Sequence, residues 1–408
     1  MNRKPELLAP AGAMEQLETA VRFGADAVYL GAQRFGLRAY AGNFDAGALR
    51  DGVCFAHGHG AKVYVTVNAF LYDDDLEAAA DTLRAVDGAG ADAVIVSDYA
   101  AAELARRVAP RLALHISTQA NTLNTPSCLH WRSLGASRIV LARELSLARI
   151  GQMRRQLPQD LCLEAFVHGA MCASYSGRCV LSNYLTGRDA NQGGCAQPCR
   201  WRYALVEEKR PGQYLPVFQD DQGTYLYSAN DLCMIRHLGE LIRAGVGSFK
   251  IEGRMKTPYY VATVVGAYRR ALDQYLENPN APFDEGLYRE VLCASHRPFS
   301  TGFYFGAPDS PPGEGGYEQS AVFVASVLAY DETTRCALVQ QRNRFFDGET
   351  LTLLSPGAAV DFTVCGLETQ DGQRVSAAPH PQQILRLHDA PPMHKGDFIR
   401  RSGAEKRG

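Results

Sequence analysis

The chain has 408 residues, 46% of them apolar, with 42 basic side chains against 44 acidic ones for a net charge of −2. That length exceeds the roughly 100–200 residues of an ordinary domain and predicts two or three domains or one large α/β barrel. The near-neutral balance excludes a global basic field for nucleic acid, so an RNA partner has to use a local patch. The run from Met1 to Glu6 is no apolar leader, no stretch approaches a membrane span, and the 11 cysteines are odd in number. A cytoplasmic protein with reduced thiols and no membrane partner is expected.

From the start, short Val/Ile/Leu-rich runs alternate with amphipathic stretches, as in repeated βα units whose parallel strands are covered on both faces. Strands are predicted at Glu6–Ala9, Ala27–Gly31, Lys62–Ala69, Ala93–Asp98, Leu112–Gln119, Arg138–Glu144, Leu161–Gly169 and Ser248–Arg254. Helices fall between them at Met14–Phe23, ended by Gly24, and at Asp74–Val86 and Tyr99–Val108. Eight such units predict an α/β fold of the TIM-like (β/α)8 barrel type. A dinucleotide-binding sheet is disfavoured because only a tight turn, Pro10 to Gly12, follows the first strand.

The connection over 172–247 is far longer than a usual βα loop and reads as a functional insertion or lid. Beyond it, Thr257 caps a helix, Pro258 suits its first turn, and Val261, Val264, Val265, Tyr268, Leu272 and Tyr275 form a core-facing stripe. The barrel with its Cys-rich insertion is thus expected over 1–306 and a Pro/Gly-rich linker over 307–316. A small all-β barrel domain is expected over 317–408. Its predicted strands are Ala321–Tyr330, Cys336–Gln341, Glu349–Leu354, Ala359–Leu367 and Phe398–Arg401, with turns such as Asp347-Gly348 and Asp371-Gly372. Cys336 and Cys365 are expected to be buried packing residues, and Arg400, Arg401, Lys406 and Arg407 a disordered basic tail.

Barrel sites lie at the C-terminal ends of the strands. Those ends nominate Asn68, Asp98, Gln119, Glu144, Glu164, His168, Lys250, Glu252 and Arg254. Lys250, Glu252 and Arg254, two apart, should share the inward face. Lys250 and Arg254, with Asn68 and Gln119, suit the binding of a small anionic substrate, Arg gripping a carboxylate with two prongs. Glu164, His168 and Glu252 are candidates for proton transfer. The plainer reading is a buried ion network that holds the barrel together.

Five of the 11 cysteines, Cys172, Cys179, Cys195, Cys199 and Cys233, fall within the insertion. Soft thiolates select zinc or an iron–sulfur centre, and four are enough for either. The spacing of Cys195 and Cys199 is compatible with zinc, whereas that of Cys172 and Cys179 is not a usual finger spacing. A thiol protease would need a histidine beside its cysteine; His168 precedes Cys172 by four residues and His296 lies far downstream, and neither spacing is diagnostic. Arg178, Arg188, Arg200 and Arg202, interleaved with Tyr184, Trp201 and Tyr203, could offer phosphate contacts and base stacking to RNA; a solvated loop face accounts for them equally well.

The segments Glu6 to Gly12, Asp26 to Gly31, Glu164 to Ser182, Ser228 to Cys233, Lys250 to Met255 and His296 to Gly302 together resemble the collagenase-like peptidase family U32. The two-domain layout is most similar to a branch that converts the wobble uridine of tRNA to 5-hydroxyuridine in a prephenate-dependent reaction. Other branches hydroxylate ribosomal RNA or ubiquinone precursors, and some members are described as collagenases. The resemblance therefore implies a tRNA hydroxylase, with a U32-type peptidase or hydroxylation of ribosomal RNA as alternatives. It further implies a 4Fe-4S cluster on Cys172, Cys179, Cys195 and Cys233, with Cys199 as the alternative ligand and zinc as the second choice of metal. Prephenate as cosubstrate, tRNA as partner and the iron–sulfur assembly machinery for loading complete what it implies.

Overall fold

The computed structural model describes residues 4–37, 42–172, 177, 179–200, 218–220, 223–225, 230–306 and 317–403. Seven parallel strands run in chain order around the first sheet: β1 Glu6–Pro10, β2 Ala27–Gly31, β3 Lys62–Val67, β4 Ala93–Val96, β5 Ala113–Ile116, β6 Ala136–Val140 and β7 Cys162–Gly169. A short hairpin, β8 Phe218–Asp220 with β9 Gly223–Tyr225, lies in the insertion. The insertion ends in β10 Asp231–Cys233, antiparallel to the end of β7 with Cys233 opposite His168. The eighth parallel strand, β11 Ser248–Ile251, closes the barrel by pairing with β7 on one side and β1 on the other. A two-residue strand, β12 Phe299–Ser300, extends the wall beside β10.

The predicted strands appear in order, but most are shorter at their C-terminal ends: β3 stops at Val67, β4 at Val96, β5 at Ile116, β6 at Val140 and β11 at Ile251. Asn68, Asp98, Gln119, Glu144, Glu252 and Arg254 therefore stand in the loops of the barrel mouth. Asp98 serves there as the cap of the helix Tyr99–Val108, accepting from the Ala100 amide at 2.7 Å. Inside the barrel, Leu8, Ala27, Tyr29, Tyr64, Ala93 and Ile95 form an apolar plug. Outside, the helix Pro258–Glu277, capped by Thr257 onto the Tyr260 amide at 3.2 Å, buries Tyr259, Val261, Val264, Val265, Tyr268 and Leu272 in the main core. No helix among the described residues is long and apolar enough to cross a membrane.

The C-terminal region forms an antiparallel half-barrel of seven strands, β13 Ala321–Asp331, β14 Cys336–Gln341, β16 Thr350–Ser355, β17 Ala358–Thr363, β18 Cys365–Thr369, β20 Ile384–His388 and β21 Phe398–Ser402, with β15 Phe345–Phe346 and β19 Ala377–Ala378 as a separate short pair. The predicted strand Ala359–Leu367 is two strands broken at Val364, and Ile384–His388 was not predicted. Cys365 is exposed and Cys336 half-buried, correcting the expectation that both are packed inside.

The basic tail is corrected as well. Arg400 lies in β21, is 5% exposed, and donates two bonds to Glu290 at 2.6 and 2.9 Å. Arg401 is bonded to Glu349. Lys406 and Arg407, like the expected linker 307–316, lie outside the described residues. Arg400 thus ties the half-barrel to the barrel domain, where Tyr259 and Phe323 stack with centroids 5.0 Å apart and Arg22 meets Asp397 at 3.0 Å. Arg400→Lys keeps the charge but loses the fork; about 1–2 kcal/mol of stability should go with it. Urea unfolding of this variant should show a lower midpoint, and an unchanged one would count against the ion pair as a tie.

Candidate active site

Two tiers of polar side chains fill the barrel above and below its aromatic plug. In the lower tier, Glu164, the third residue of β7, is fully buried and accepts bonds from Lys250 Nζ at 2.9 Å and Arg138 Nη1 at 2.9 Å, with Ser248 Oγ at 3.2 Å. Arg138 also donates to Glu6 at 2.6 and 3.2 Å, and the Tyr64 hydroxyl donates to Glu6 at 2.7 Å. Two carboxylates thus face two cations, and the tier is formally neutral. Burial alone would raise the Glu164 carboxyl, but Lys250 and Arg138 outweigh it and hold it at about 2. Burial first, then Arg138, drives the neighbouring His115 well below its usual value. Glu164 was expected to move protons at the mouth. A carboxylate this deep, clamped ionised by two cations, holds the barrel instead.

The upper tier lines a cavity, open to solvent, at the C-terminal ends of the strands. Lys250, Glu252 and Arg254 all reach it, as their spacing predicts, and Asn68 and Gln119 line it beside Thr66, Ser117 and Thr118. Lys250 spans both tiers, with its ammonium 4.3 Å from the Tyr29 ring centroid. Glu252 accepts from the Tyr29 hydroxyl at 3.2 Å. Asn68 Nδ2 donates to Ser117 Oγ at 3.4 Å while its Oδ1 accepts from the Leu37 amide at 3.2 Å. Arg254 is 4% exposed and donates to Thr66 Oγ1 at 3.1 Å and to Asn43 Oδ1. Its place requires Gly31, where a Cβ would come within 2.1 Å of its Nη2.

Arg143 joins this lining without having been nominated. It sits three residues past the end of β6, and its guanidinium lies 3.8 Å from the Phe166 ring centroid. A cation just beyond an apolar strand was the available signal; the predicted strand end at Glu144 concealed it.

His168 does not line the cavity. Opposite β11 the register slips between Lys250 and Ile251, so that Lys250 pairs with Phe166 but Ile251 with His168. The bulge turns His168 off the inward face. It packs among Tyr260, Tyr268 and Phe299, with Nδ1 3.4 Å from the Tyr268 hydroxyl, and burial lowers it to about 3. The expected proton-transfer role in the cavity is thereby corrected: this is a neutral imidazole in the barrel wall.

Cys172 is exposed, Cys179, Cys195 and Cys199 are half-buried, and Cys233 is buried on β10. Burial pushes the Cys233 thiol up to about 11, with the Tyr268 hydroxyl 3.9 Å away. Among the described residues no three His, Cys, Asp or Glu side chains gather to hold a metal. The cysteines are chemically suited to a cluster, but this arrangement does not converge on one. Burial raises the Cys233 thiol and lowers the His168 imidazole, so this pair is not poised as a thiolate–imidazolium couple.

The described part of the insertion reaches the barrel mouth, where the Phe70 amide donates to the Asn191 carbonyl at 3.2 Å. Tyr184 is 85% exposed there and Val180 70%. Arg188 Nε is bonded to the Gly194 carbonyl at 3.1 Å. Arg178 and Arg202 lie outside the described residues. Only the backbone of Arg200, in a short turn over Pro198–Arg200, is described.

Residues 12–312 match the peptidase family U32 and residues 319–400 the peptidase family U32 C-terminal domain. The chain is 40% identical over 392 residues to tRNA hydroxylation protein P1 of Bacillus subtilis, covering 95% of this chain and 92% of that one. It is 35% identical to tRNA hydroxylation protein P of Escherichia coli, over 92% of each chain. The 23S rRNA 5-hydroxycytidine C2501 synthase of Escherichia coli is 40% identical over 67% of this chain and 40% of its own length.

Proposed function

The chain belongs to peptidase family U32, and we propose that within it the protein is an RNA hydroxylase whose target is the wobble uridine of tRNA and whose product is 5-hydroxyuridine. The observation that carries this reading is the similarity along nearly the whole chain, both domains included, to proteins named for tRNA hydroxylation. The relative named for ribosomal RNA matches the chain over a smaller share.

The cavity supports a small anionic cosubstrate, and prephenate, with two carboxylates, is the one we propose. Lys250 and Arg254 supply positive charge, Asn68 and Gln119 neutral hydrogen bonds, and Glu252 a carboxylate beside the Tyr29 hydroxyl, the remaining candidate for holding a proton. Cys172, Cys179, Cys195 and Cys233, with Cys199 as the alternate, are the proposed ligands of a 4Fe-4S cluster, on donor chemistry alone. A bound cluster would supply redox chemistry.

Nucleoside mass spectrometry of bulk tRNA and ribosomal RNA from a deletion strain tests the target. Loss of 5-hydroxyuridine from tRNA is expected; a loss confined to ribosomal RNA, or none, overturns the reading. For the cluster, anaerobically purified protein should be brown and carry iron and sulfide after reconstitution. Stoichiometric zinc without iron would eliminate it.

A further inference from the structure

Formal charge is balanced in the lower tier, Glu6 and Glu164 against Arg138 and Lys250, but not at the mouth. There the cavity lining carries the guanidinium groups of Arg143 and Arg254 and the single carboxylate of Glu252. The two guanidinium groups differ at their terminal nitrogens: both are bonded in Arg254, only Nη1 in Arg143. Arg254 donates to Thr66 and Asn43. Arg143 spends Nη1 on the Ala170 carbonyl at 2.7 Å and on the Met171 sulfur at 3.9 Å, and lays its flat face on Phe166. Its Nε is buried without a hydrogen-bond partner. Stacking on the ring fixes the plane of the group, and the Ala170 carbonyl fixes its rotation within that plane. What remains is one edge, carrying the Nε and Nη2 hydrogens side by side, the geometry that matches the two oxygens of a carboxylate.

We infer that Arg143 is the primary carboxylate-binding residue of the cavity, gripping a small organic acid through its Nε–Nη2 edge while Phe166 and the Ala170 carbonyl hold the guanidinium ready. The inference rests on the reading of this cavity as the cosubstrate site and assigns to Arg143 the role that the sequence spacing predicts for Arg254. Unbonded Nε atoms recur at structural arginines such as Arg138 and Arg400, so the assignment stands on the stacked, fixed plane of Arg143 and its unengaged Nη2 at the cavity. Arg254, already engaged with neutral acceptors, then shapes the cavity floor and adds charge.

Isothermal titration of the full-length chain with prephenate, and separately with malonate as a bare dicarboxylate, tests this. Wild-type protein should bind at least one of them. Arg143→Lys keeps the charge but not the fork, and should weaken binding roughly 10- to 100-fold, as loss of a charge-assisted hydrogen bond does. Melting temperatures place each titration below unfolding, so that a purely structural Arg143 would show itself as lower stability with unchanged affinity. Should the Arg143 variants not fold, Phe166→Leu leaves the charge and removes the platform, with an expected loss of roughly two- to tenfold. No binding of either acid by wild type, or equal affinity in the variants, overturns the inference. Weakened malonate or prephenate binding in the variant, together with intact hydroxyuridine in the deletion strain, would uphold the anion site and remove the proposed RNA reaction instead.

Discussion

Glu164→Gln should cost the protein about 3–5 kcal/mol of stability, since it leaves Arg138 and Lys250 buried with half of their compensating charge removed. The midpoint of urea denaturation, measured near neutral pH, reads this directly. The same residue sets an acid limb. Its folded value of about 2 lies below the ordinary carboxyl value, so the folded state favours the ionised form. Its contribution, on the order of 3 kcal/mol, is therefore fully present above the unfolded value near ~4.3. It is lost as pH falls through that value toward about 2. In the Gln variant this part of the acid dependence should vanish, leaving a flatter curve between those limits. A variant as stable as wild type but unable to hydroxylate RNA would return Glu164 to the chemistry.

Arg254→Lys should lower hydroxyuridine yield in tRNA by roughly 10- to 100-fold, with about 1–2 kcal/mol of lost stability. The guanidinium spans from Thr66 to Asn43 across the backbone at Gly31. A lysine ammonium is a single point and cannot bridge both acceptors, so the cavity floor loosens as well as losing its planar donor. Nucleoside mass spectrometry of a complemented deletion strain, normalised to folded protein, gives the first quantity, and thermal melting the second. Near-normal yield per folded molecule would reduce Arg254 to a structural strut.

The barrel was legible because each strand announces itself locally: KVYVTV over Lys62–Val67 or AVIV over Ala93–Val96 can hardly be anything but a buried parallel strand. Strand ends were less so. Nothing in the composition of Val67-Asn68-Ala69 or of Ile251-Glu252-Gly253 marks where hydrogen bonding to the neighbour stops, and the mouth residues lie in that gap. Lys250, Glu252 and Arg254 all reach the cavity as period two predicts, although only Lys250 lies on β11. His168 did not follow it, because the slip between Lys250 and Ile251 is a property of the pairing and has no signature in one strand alone. Glu164 was nominated along with the strand ends, although it is the third residue of β7 and so lies at the opposite, deep end of the strand. Arg400 and Arg401 looked like a tail only because the charge run was considered apart from Glu290 and Glu349, which are remote in sequence. Ile384–His388 was missed, being a short alternating run beside the turn-like His380 to Gln383. Arg143 required its setting on Phe166 and could not be singled out from one strand's sequence.

Closure of the barrel has a bearing on how the chain is made. The first strand waits for a partner that is 242 residues away, since Ser248 meets Glu6 only when β11 slots between β1 and β7. During synthesis at roughly 5–20 residues per second, that interval is on the order of ten to fifty seconds. Throughout it β1, and once it is made β7, presents an unpaired apolar edge, one at the start of the nascent chain and one midway along it. Non-local pairing of this kind is slow and exposed to aggregation. The cell must therefore shelter an open, sticky sheet until the ribosome has passed the Cys-rich insertion, and a chain terminated before Ser248 should collect in the insoluble fraction.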